Sequence, residues 1–479
     1  MNDSKQKGRP KIFFSICVLL VISSVFVIGM RFGISITALL LLNIAILIVI
    51  ALWRGIKMSD LEDVMREGLC QVSSAVLILI IVGALIGMWI QSGIVPMIIY
   101  YGIEYVNPKL MVLTTFWLCS ILSICTGSSW GTSGTVGIAC VSIGVSMGVP
   151  IYVMVGAAIS GATLGDKISP FSDTTIVAAG IAGCSVYEHI HMMMYTTIPA
   201  FVITSAIYAV IGVNFAPVNA NMGLMQTLQE TLVTNYKFSL WLLTVPAAVL
   251  LMGIKKLSPV VSLLTSVGMC AVFSMVLQGN GLPVVLNALY QGNTVSTGLE
   301  MADSMLNKGG ITSMMSVVAI IMLCMYMSGI IRKLGLLDVL IDCLKKRVKT
   351  DKELVLLTTF FGLFLVMLLS SLYVSAILIG DFFRDIYKDR HIKRGVLSRA
   401  IEEATTITTP LIPWHSSFNY YTTLFGITGM AFVPYAVFCW LNLLISIAMT
   451  AFGICSKSMH EDVDDEMPFK YQKASECVR

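Results

Sequence analysis

Charge is what this sequence has least of. Asp, Glu, Lys and Arg make up 12% of it against 57% hydrophobic residues, at a mean hydropathy of +0.86. That scarcity excludes a soluble globular domain. The formal charge of +4 implies no nucleic-acid partner. Short strands of alternating polar and apolar residues are missing, which excludes a membrane β-barrel. The 12 cysteines never form a CxxC pair, and Cys119, Cys125, Cys140, Cys270, Cys324 and Cys439 lie singly inside apolar runs, so neither a disulfide framework nor a metal site is expected. No small-residue cleavage site follows the first apolar run, Ile12 to Met30, which excludes a removed signal peptide.

What is present is a series of apolar runs long enough to cross a bilayer. Residues 12–30 and 33–53 read as two spans, followed by a charged amphipathic stretch, 54–68, expected to lie along the membrane interface. Lys5, Lys7, Arg9 and Lys11, and again Arg54, Lys57 and Arg66, place the N-terminus and this stretch on the cytoplasmic side. Further spans are expected at 72–90, 110–126, 135–148 and 151–164, then at 195–213, 240–254 and 260–277. A polar connection is expected at 216–236, and stretches too weakly apolar to span at 278–310.

Within this lipid-like background one segment stands apart. Between residues 71 and 186 the only charged residues are Glu104, Lys109, Asp166, Lys167 and Asp173. The last three sit in Ser160-Gly-Ala-Thr-Leu-Gly-Asp-Lys-Ile-Ser-Pro-Phe-Ser-Asp-Thr-Thr175, and ionisable groups at bilayer depth are expensive and mark function. Gly165 and Pro170 are expected to break the helix near Asp166 to Pro170, freeing backbone groups that must be buried or line a wet cavity. Asp166, Ser169, Ser172, Asp173, Thr174 and Thr175 then offer oxygen ligands to a hard monovalent cation. Lys167 is read either as part of this site or as a structural neutraliser of Asp166. Ser128 and Ser129, in a run of small and hydroxyl residues ending at Gly134, form a second candidate break or a close helix contact.

A second polar segment follows later, Leu397 to His415, where Pro410 and Pro413 break any helix. Thr405, Thr406, Thr408, Thr409 and His415 supply polar atoms, and Glu402 and Glu403 supply carboxylates near one end. Arg399 lies four residues before Glu403, a spacing suited to a structural ion pair. The halves echo each other: Ser92-Gly93-Ile94 matches Ser328-Gly329-Ile330, Gly127-Ser128 matches Ser370-Ser371, and Ser169-Pro170 matches Thr409-Pro410. This pattern suggests an internal duplication. The loop after the first match carries one basic residue, Lys109, before the next span, whereas its counterpart carries Arg332, Lys333, Lys345, Lys346, Arg347, Lys349 and Lys352. Equivalent loops on opposite sides imply inverted repeats.

The string GATLGDKISPFSDTT, the later LSRAIEEATTITTPLIPW and the two SGI segments resemble the NhaC-type sodium/proton antiporter family of the ion transporter superfamily, over nearly the whole chain. The resemblance implies cation/proton exchange across a bacterial cytoplasmic membrane, and some relatives exchange organic acids or amino acids. It points to Asp166, Ser169, Ser172, Asp173, Thr174 and Thr175, and to Thr409, Pro410, Pro413 and Trp414. This sequence departs from the family pattern at Glu403, at Thr405 and at His415-Ser416-Ser417-Phe418.

The expected fold class is therefore an all-α polytopic membrane protein with two inverted-topology repeats and broken helices or re-entrant hairpins at the midplane. Its expected parts are an N-terminal pair of spans with an interfacial helix (1–70), repeat 1 (71–215), connecting spans (216–310), repeat 2 (311–455) and a cytoplasmic tail (456–479). The expected function is Na+/H+ exchange by alternating access. The candidate cation or substrate residues are Asp166, Ser169, Ser172, Asp173, Thr174, Thr175, Ser128, Ser129, Thr408, Thr409, Trp414, His415 and Asn419, with Asp166 and Asp173 as the carboxylates for Na+. A second transport reading keeps the scaffold and moves a small carboxylate or amino acid, to which Asn419, Tyr420, Tyr421 and His415 are suited. A membrane aspartyl protease is disfavoured by Thr163, which stands where such enzymes carry glycine, and a channel suits paired breaks less well than a carrier. Expected partners are the lipid bilayer, small inorganic or organic ions and, as an assembly, a homodimer. No cofactor is expected beyond Na+ and H+ as transported or coupling ions.

Overall fold

Lipid offers a backbone no hydrogen-bond partner, so an apolar chain of this kind closes its bonds inside helices, and every regular element among the described residues is helical. The computed structural model describes residues 10–453 apart from 106, 171, 216–221, 256, 258 and 340–347. Lys5, Lys7 and Arg9, Lys345, Lys346 and Arg347, and the tail 456–479 lie outside the described residues. Among the described residues, six helices are long and apolar enough to cross a membrane, or up to seven if a bent pair is one span. The chain is a multi-pass membrane protein.

The first half contains α1 (Ile12–Arg31), α2 (Ile36–Trp53), α3 (Met58–Gln91), α4 (Ile94–Tyr105), α5 (Met111–Thr126), α6 (Ser129–Thr132), α7 (Ile138–Ser146), α8 (Ile151–Ile168), α9 (Asp173–Ala182) and α10 (Val186–Phe215). Connecting helices follow: α11 (Met222–Asn235), α12 (Thr244–Ile254), α13 (Pro259–Val276), α14 (Leu282–Gln291) and α15 (Glu300–Leu306). The second half holds α16 (Ile311–Lys333), α17 (Asp351–Leu369), α18 (Leu372–Asp389), α19 (Arg394–Thr405), α20 (Ser416–Phe425) and α21 (Val437–Phe452).

Several expectations are corrected. The charged stretch before the third span is no separate interfacial helix, because it runs unbroken into α3, whose 34 residues reach about 51 Å at 1.5 Å per residue. The polar connection after α10 is helical from Met222. The span expected to begin at Tyr195 begins at Val186 and carries Pro199 inside it. Gly165 is not at the break: it lies within α8, and the chain leaves helical geometry at Ser169.

Gly165 instead permits a close approach. A Cβ there would stand 2.5 Å from the Ser120 carbonyl oxygen, and one at Gly161 would stand 2.3 Å from that of Phe116. The pair forms a small-xxx-small seam along which α8 packs on α5. Gly165→Ala is therefore expected to lower stability by about 1–3 kcal/mol. Gly180→Ala, where an added Cβ meets nothing within 4 Å, is expected to hold or raise it. Thermal unfolding of both variants in detergent checks the contrast.

The breaks recur at one spacing. α5 ends on Gly127 in the left-handed region (φ 67) and α17 ends on Ser370 likewise (φ 53). Each is followed by an extended serine, Ser128 or Ser371, whose side chain caps the next helix. Ser172 caps α9 and His415 caps α20, and these two helices end on left-handed Gly183 and Gly426. Gly127 and Ser370 are 243 positions apart, as are Ser172 and His415, and Gly183 and Gly426. A non-glycine residue in the left-handed region carries backbone strain. Ser370→Gly is accordingly expected to fold as well as the parent or better, by up to about 1 kcal/mol, in the same unfolding measurement.

Candidate functional site

Consecutive residues on a helix point about 100° apart, and the last turn of α8 uses this to send Asp166 and Lys167 in different directions. Asp166, 4% exposed, faces the two breaks of the first half. Ser129 Oγ donates to its Oδ2 at 2.7 Å and Ser172 Oγ hydrogen-bonds its Oδ1 at 2.6 Å. Ser172 also caps α9 and lies 2.9 Å from Thr174 Oγ1, which hydrogen-bonds Glu402 Oε1 of α19 at 3.1 Å. Glu402 is 1% exposed. Two buried carboxyls from opposite halves are thus joined through two hydroxyls.

Beside this chain opens a cavity of about 80 Å³, lined among others by Ser128, Ser129, Asp166, Asp173, Thr174, Ser370, Ser371, Tyr373, Thr406, Thr409, Pro410 and Tyr421. The N-terminal ends of α6, α9 and α18 meet there because each follows a break. Asp173 opens α9 in a favourable place for a carboxylate, is exposed to the cavity, and accepts a hydrogen bond on Oδ2 from the Tyr373 hydroxyl. Among the described residues no three His, Cys, Asp or Glu side chains group as a metal site. Two carboxylates and a ring of hydroxyls form a hard oxygen donor set instead.

Lys167 does not neutralise Asp166. Its ammonium lies 3.5 Å from Glu403 Oε1 and donates to Asn442 Oδ1 at 2.8 Å and to Thr196 Oγ1 at 3.2 Å. Glu403 also takes hydrogen bonds from Thr196 at 2.5 Å and from Ser446, and Arg399 Nε stands 3.9 Å from it. Lys167 and Glu403 are 0% exposed and Arg399 1%. This second cluster ties α8 to α19, α10 and α21, and it confirms the Arg399–Glu403 spacing as a contact.

Other candidates play local parts in this conformation. Ser169 Oγ donates to the Ile124 carbonyl at 2.7 Å, and Thr175 Oγ1 donates to the carbonyls of Asp166 and Lys167 at 3.1 and 3.3 Å, closing the end of α8. Thr408 Oγ1 donates to the Ala404 carbonyl at 2.6 Å. Trp414, His415 and Asn419 do not line the cavity. Trp414 stacks on Phe26 of α1 with centroids 5.9 Å apart and donates to the Met367 carbonyl. His415 Nδ1 accepts from the Ser417 amide at 3.0 Å, and Asn419 Nδ2 donates to the Pro413 and His415 carbonyls.

Tyr373, Ser370 and Ser371 were not among the residues expected at the site, and Glu402 and Thr406, noted as polar groups of the second segment, were not among its candidate ligands. The duplication flagged the two serines. The spacing from Arg399 set Glu403 apart as an ion-pair partner, but nothing local pointed Glu402 at the cavity side.

Comparison with known proteins agrees with a carrier. The model of the Na+/H+ antiporter family matches residues 10–192 and 178–454. The chain is similar to the malate-2H(+)/Na(+)-lactate antiporter of Bacillus subtilis (strain 168), 35% identical over 84% of this chain and 86% of the relative. It is 29% identical to the Na(+)/H(+) antiporter NhaC of Alkalihalophilus pseudofirmus over 95% of this chain and 97% of that one. It is 30% identical to the arginine/ornithine antiporter ArcD of Halobacterium salinarum over 86% and 85% respectively.

Proposed function

Because the chain belongs to the Na+/H+ antiporter family, we propose that it exchanges Na+ for H+ across a bacterial cytoplasmic membrane by alternating access, with Asp166 and Asp173 receiving the cation. The observation that carries this reading is a count of hydrogens. Asp166, Ser172, Thr174 and Glu402 stand in series through contacts of 2.6, 2.9 and 3.1 Å. A hydroxyl has one proton to donate, so Ser172 and Thr174 supply two of the three bonds. The third needs a proton held by one of the carboxyls.

With that proton on Glu402, the chain runs Glu402 to Thr174 to Ser172 to Asp166, and Asp166 is left charged. A cation on Asp166 meets the same need: Ser172 then donates to Thr174, Thr174 donates to Glu402, and the proton leaves. One hydrogen-bonded chain holds either a proton or a cation, which is the condition for exchange. The charges around it agree. Lys167 and Arg399 balance two of the four carboxylates Asp166, Asp173, Glu402 and Glu403, and the remaining two depend on bound protons or cations in a medium that penalises bare charge.

The second half is proposed to sit inverted relative to the first, with the N-terminus cytoplasmic, on the strength of the basic residues around α16 and α17. A second reading rests on the cavity, whose volume of about 80 Å³ leaves room beyond what a dehydrated Na+ occupies. Relatives named for malate, lactate, arginine or ornithine support a small organic solute as cargo, with Na+ and H+ as coupling ions.

The test is flux in proteoliposomes holding a pH-sensitive dye. An inward Na+ gradient is expected to alkalinise the lumen. If Na+ alone moves no protons but labelled organic acids or amino acids show counterflow, the second reading replaces the first.

A further inference from the structure

The two halves break their helices alike but do not furnish the breaks alike. On the 243-residue spacing that relates Ser128 to Ser371 and Ser172 to His415, Trp130 matches Tyr373 and Asp173 matches Ser416. All four of these last side chains line the one cavity. Tyr373, at the second half's break, donates its phenol proton to Asp173 of the first half. At the matching place stand an indole and a serine. Trp130 there stacks on Tyr420 at 5.0 Å, and its carbonyl accepts the Tyr420 hydroxyl at 2.6 Å. The same backbone geometry forms without a carboxylate–phenol pair, so the pair is not what shapes the fold.

We propose that Tyr373 is a positioning residue that sets cation affinity and cation choice at Asp173, a role that rests on the exchange reading above. Asp173 is exposed to the cavity, and an aspartate terminal torsion is soft. Tyr373 holds one carboxylate oxygen and leaves the other for cargo. A carboxylate fixed in one orientation offers ions of different radius different distances, which is how a site prefers one monovalent cation over another. The two residues come from different halves, so their bond spans the cavity and lasts only while the halves keep the present separation.

Tyr373→Phe keeps the ring and removes the donor. In reconstituted exchange it is expected to raise the KM for Na+ roughly tenfold, the loss of one hydrogen bond to a charged group, with a maximal rate close to the parent and a weaker preference for Na+ over K+. Tyr373→Trp places at this position the residue that its counterpart carries, keeps an N–H donor, and is expected to restore part of both. A Phe variant with the parent KM and preference, or with a lowered maximal rate at unchanged KM, overturns the proposal. Tyrosine ultraviolet difference absorbance on adding NaCl to the purified protein separates this from a failure of the exchange reading. A signal missing in Tyr373→Phe supports the role of Tyr373 even if no protons move, and a signal that persists in that variant overturns it.

Discussion

Asp166→Asn is expected to abolish sodium-driven proton movement, lowering it at least about 100-fold, equivalent to roughly 2.7 kcal/mol, while leaving the protein folded. Asparagine is close in size, its amide oxygen can still accept from one of Ser129 and Ser172 and its amide N–H can donate to the other hydroxyl, which turns to receive it, so packing survives. It can hold neither a proton in exchange nor the charge that attracts a cation. Flux in proteoliposomes checks the first part, and a monodisperse elution profile with an unfolding temperature near the parent's checks the second. Asp173→Asn is expected to reduce exchange less completely at saturating Na+, because Asp173 sits at the open side of the cavity and outside the chain that links Asp166 to Glu402.

Glu403→Gln is expected to act mainly on stability. Lys167 and Arg399 would then share a buried region without their common carboxylate, and breaking a buried pair from one side typically destabilises by about 3–5 kcal/mol. Replacing both partners, Lys167→Met with Glu403→Leu, is expected to recover much of that loss. Arg399 then has Glu402 three residues away on α19, a spacing at which Glu402 can give up its proton and pair with it. Thermal unfolding of the single and double variants in detergent provides the cycle. A single variant as stable as the parent would mean that the cluster is not a structural tie. The two adjacent glutamates thus have separable effects: one belongs to the hydroxyl chain, the other to the joint between α8, α10, α19 and α21.

The break at Ser169 to Ser172 was legible because its causes are local. Pro170 cannot continue a helix, and Ser172 is a natural cap for the one that follows. The cavity's first-half residues, Ser128, Ser129, Asp166, Asp173 and Thr174, were legible for a related reason, since charge and hydroxyls are conspicuous in an apolar run. The family, too, was readable from that string.

What was not legible depends on which helix docks where. Glu402 gains its place only because α9 packs on α19, which no spacing along the chain reveals. Lys167 looks like a partner for its neighbour Asp166 until helical geometry turns it toward Glu403 and Asn442. Trp414 lies in the proline-broken segment with Thr409 and Pro410 and Asn419 in the helix that follows it, yet both are directed away from the cavity, Trp414 onto Phe26 and Asn419 back onto the carbonyls of Pro413 and His415. Gly165 sits beside a break and suggests it, but serves the packing of α8 on α5. The continuity of α3 was hidden by composition, because a change from charged to apolar residues resembles a boundary although nothing there stops a helix.

The most direct test is proton release on cation binding. NaCl is added to the purified protein in weakly buffered detergent solution, and the pH is followed. Because a cation at Asp166 takes over the hydrogen-bonding need that a carboxyl proton otherwise meets, Na+ is expected to release protons from the parent and none from Asp166→Asn. If Na+ releases no protons from the parent, or as many from Asp166→Asn as from the parent, proton and cation do not compete through the chain that joins Asp166 to Glu402.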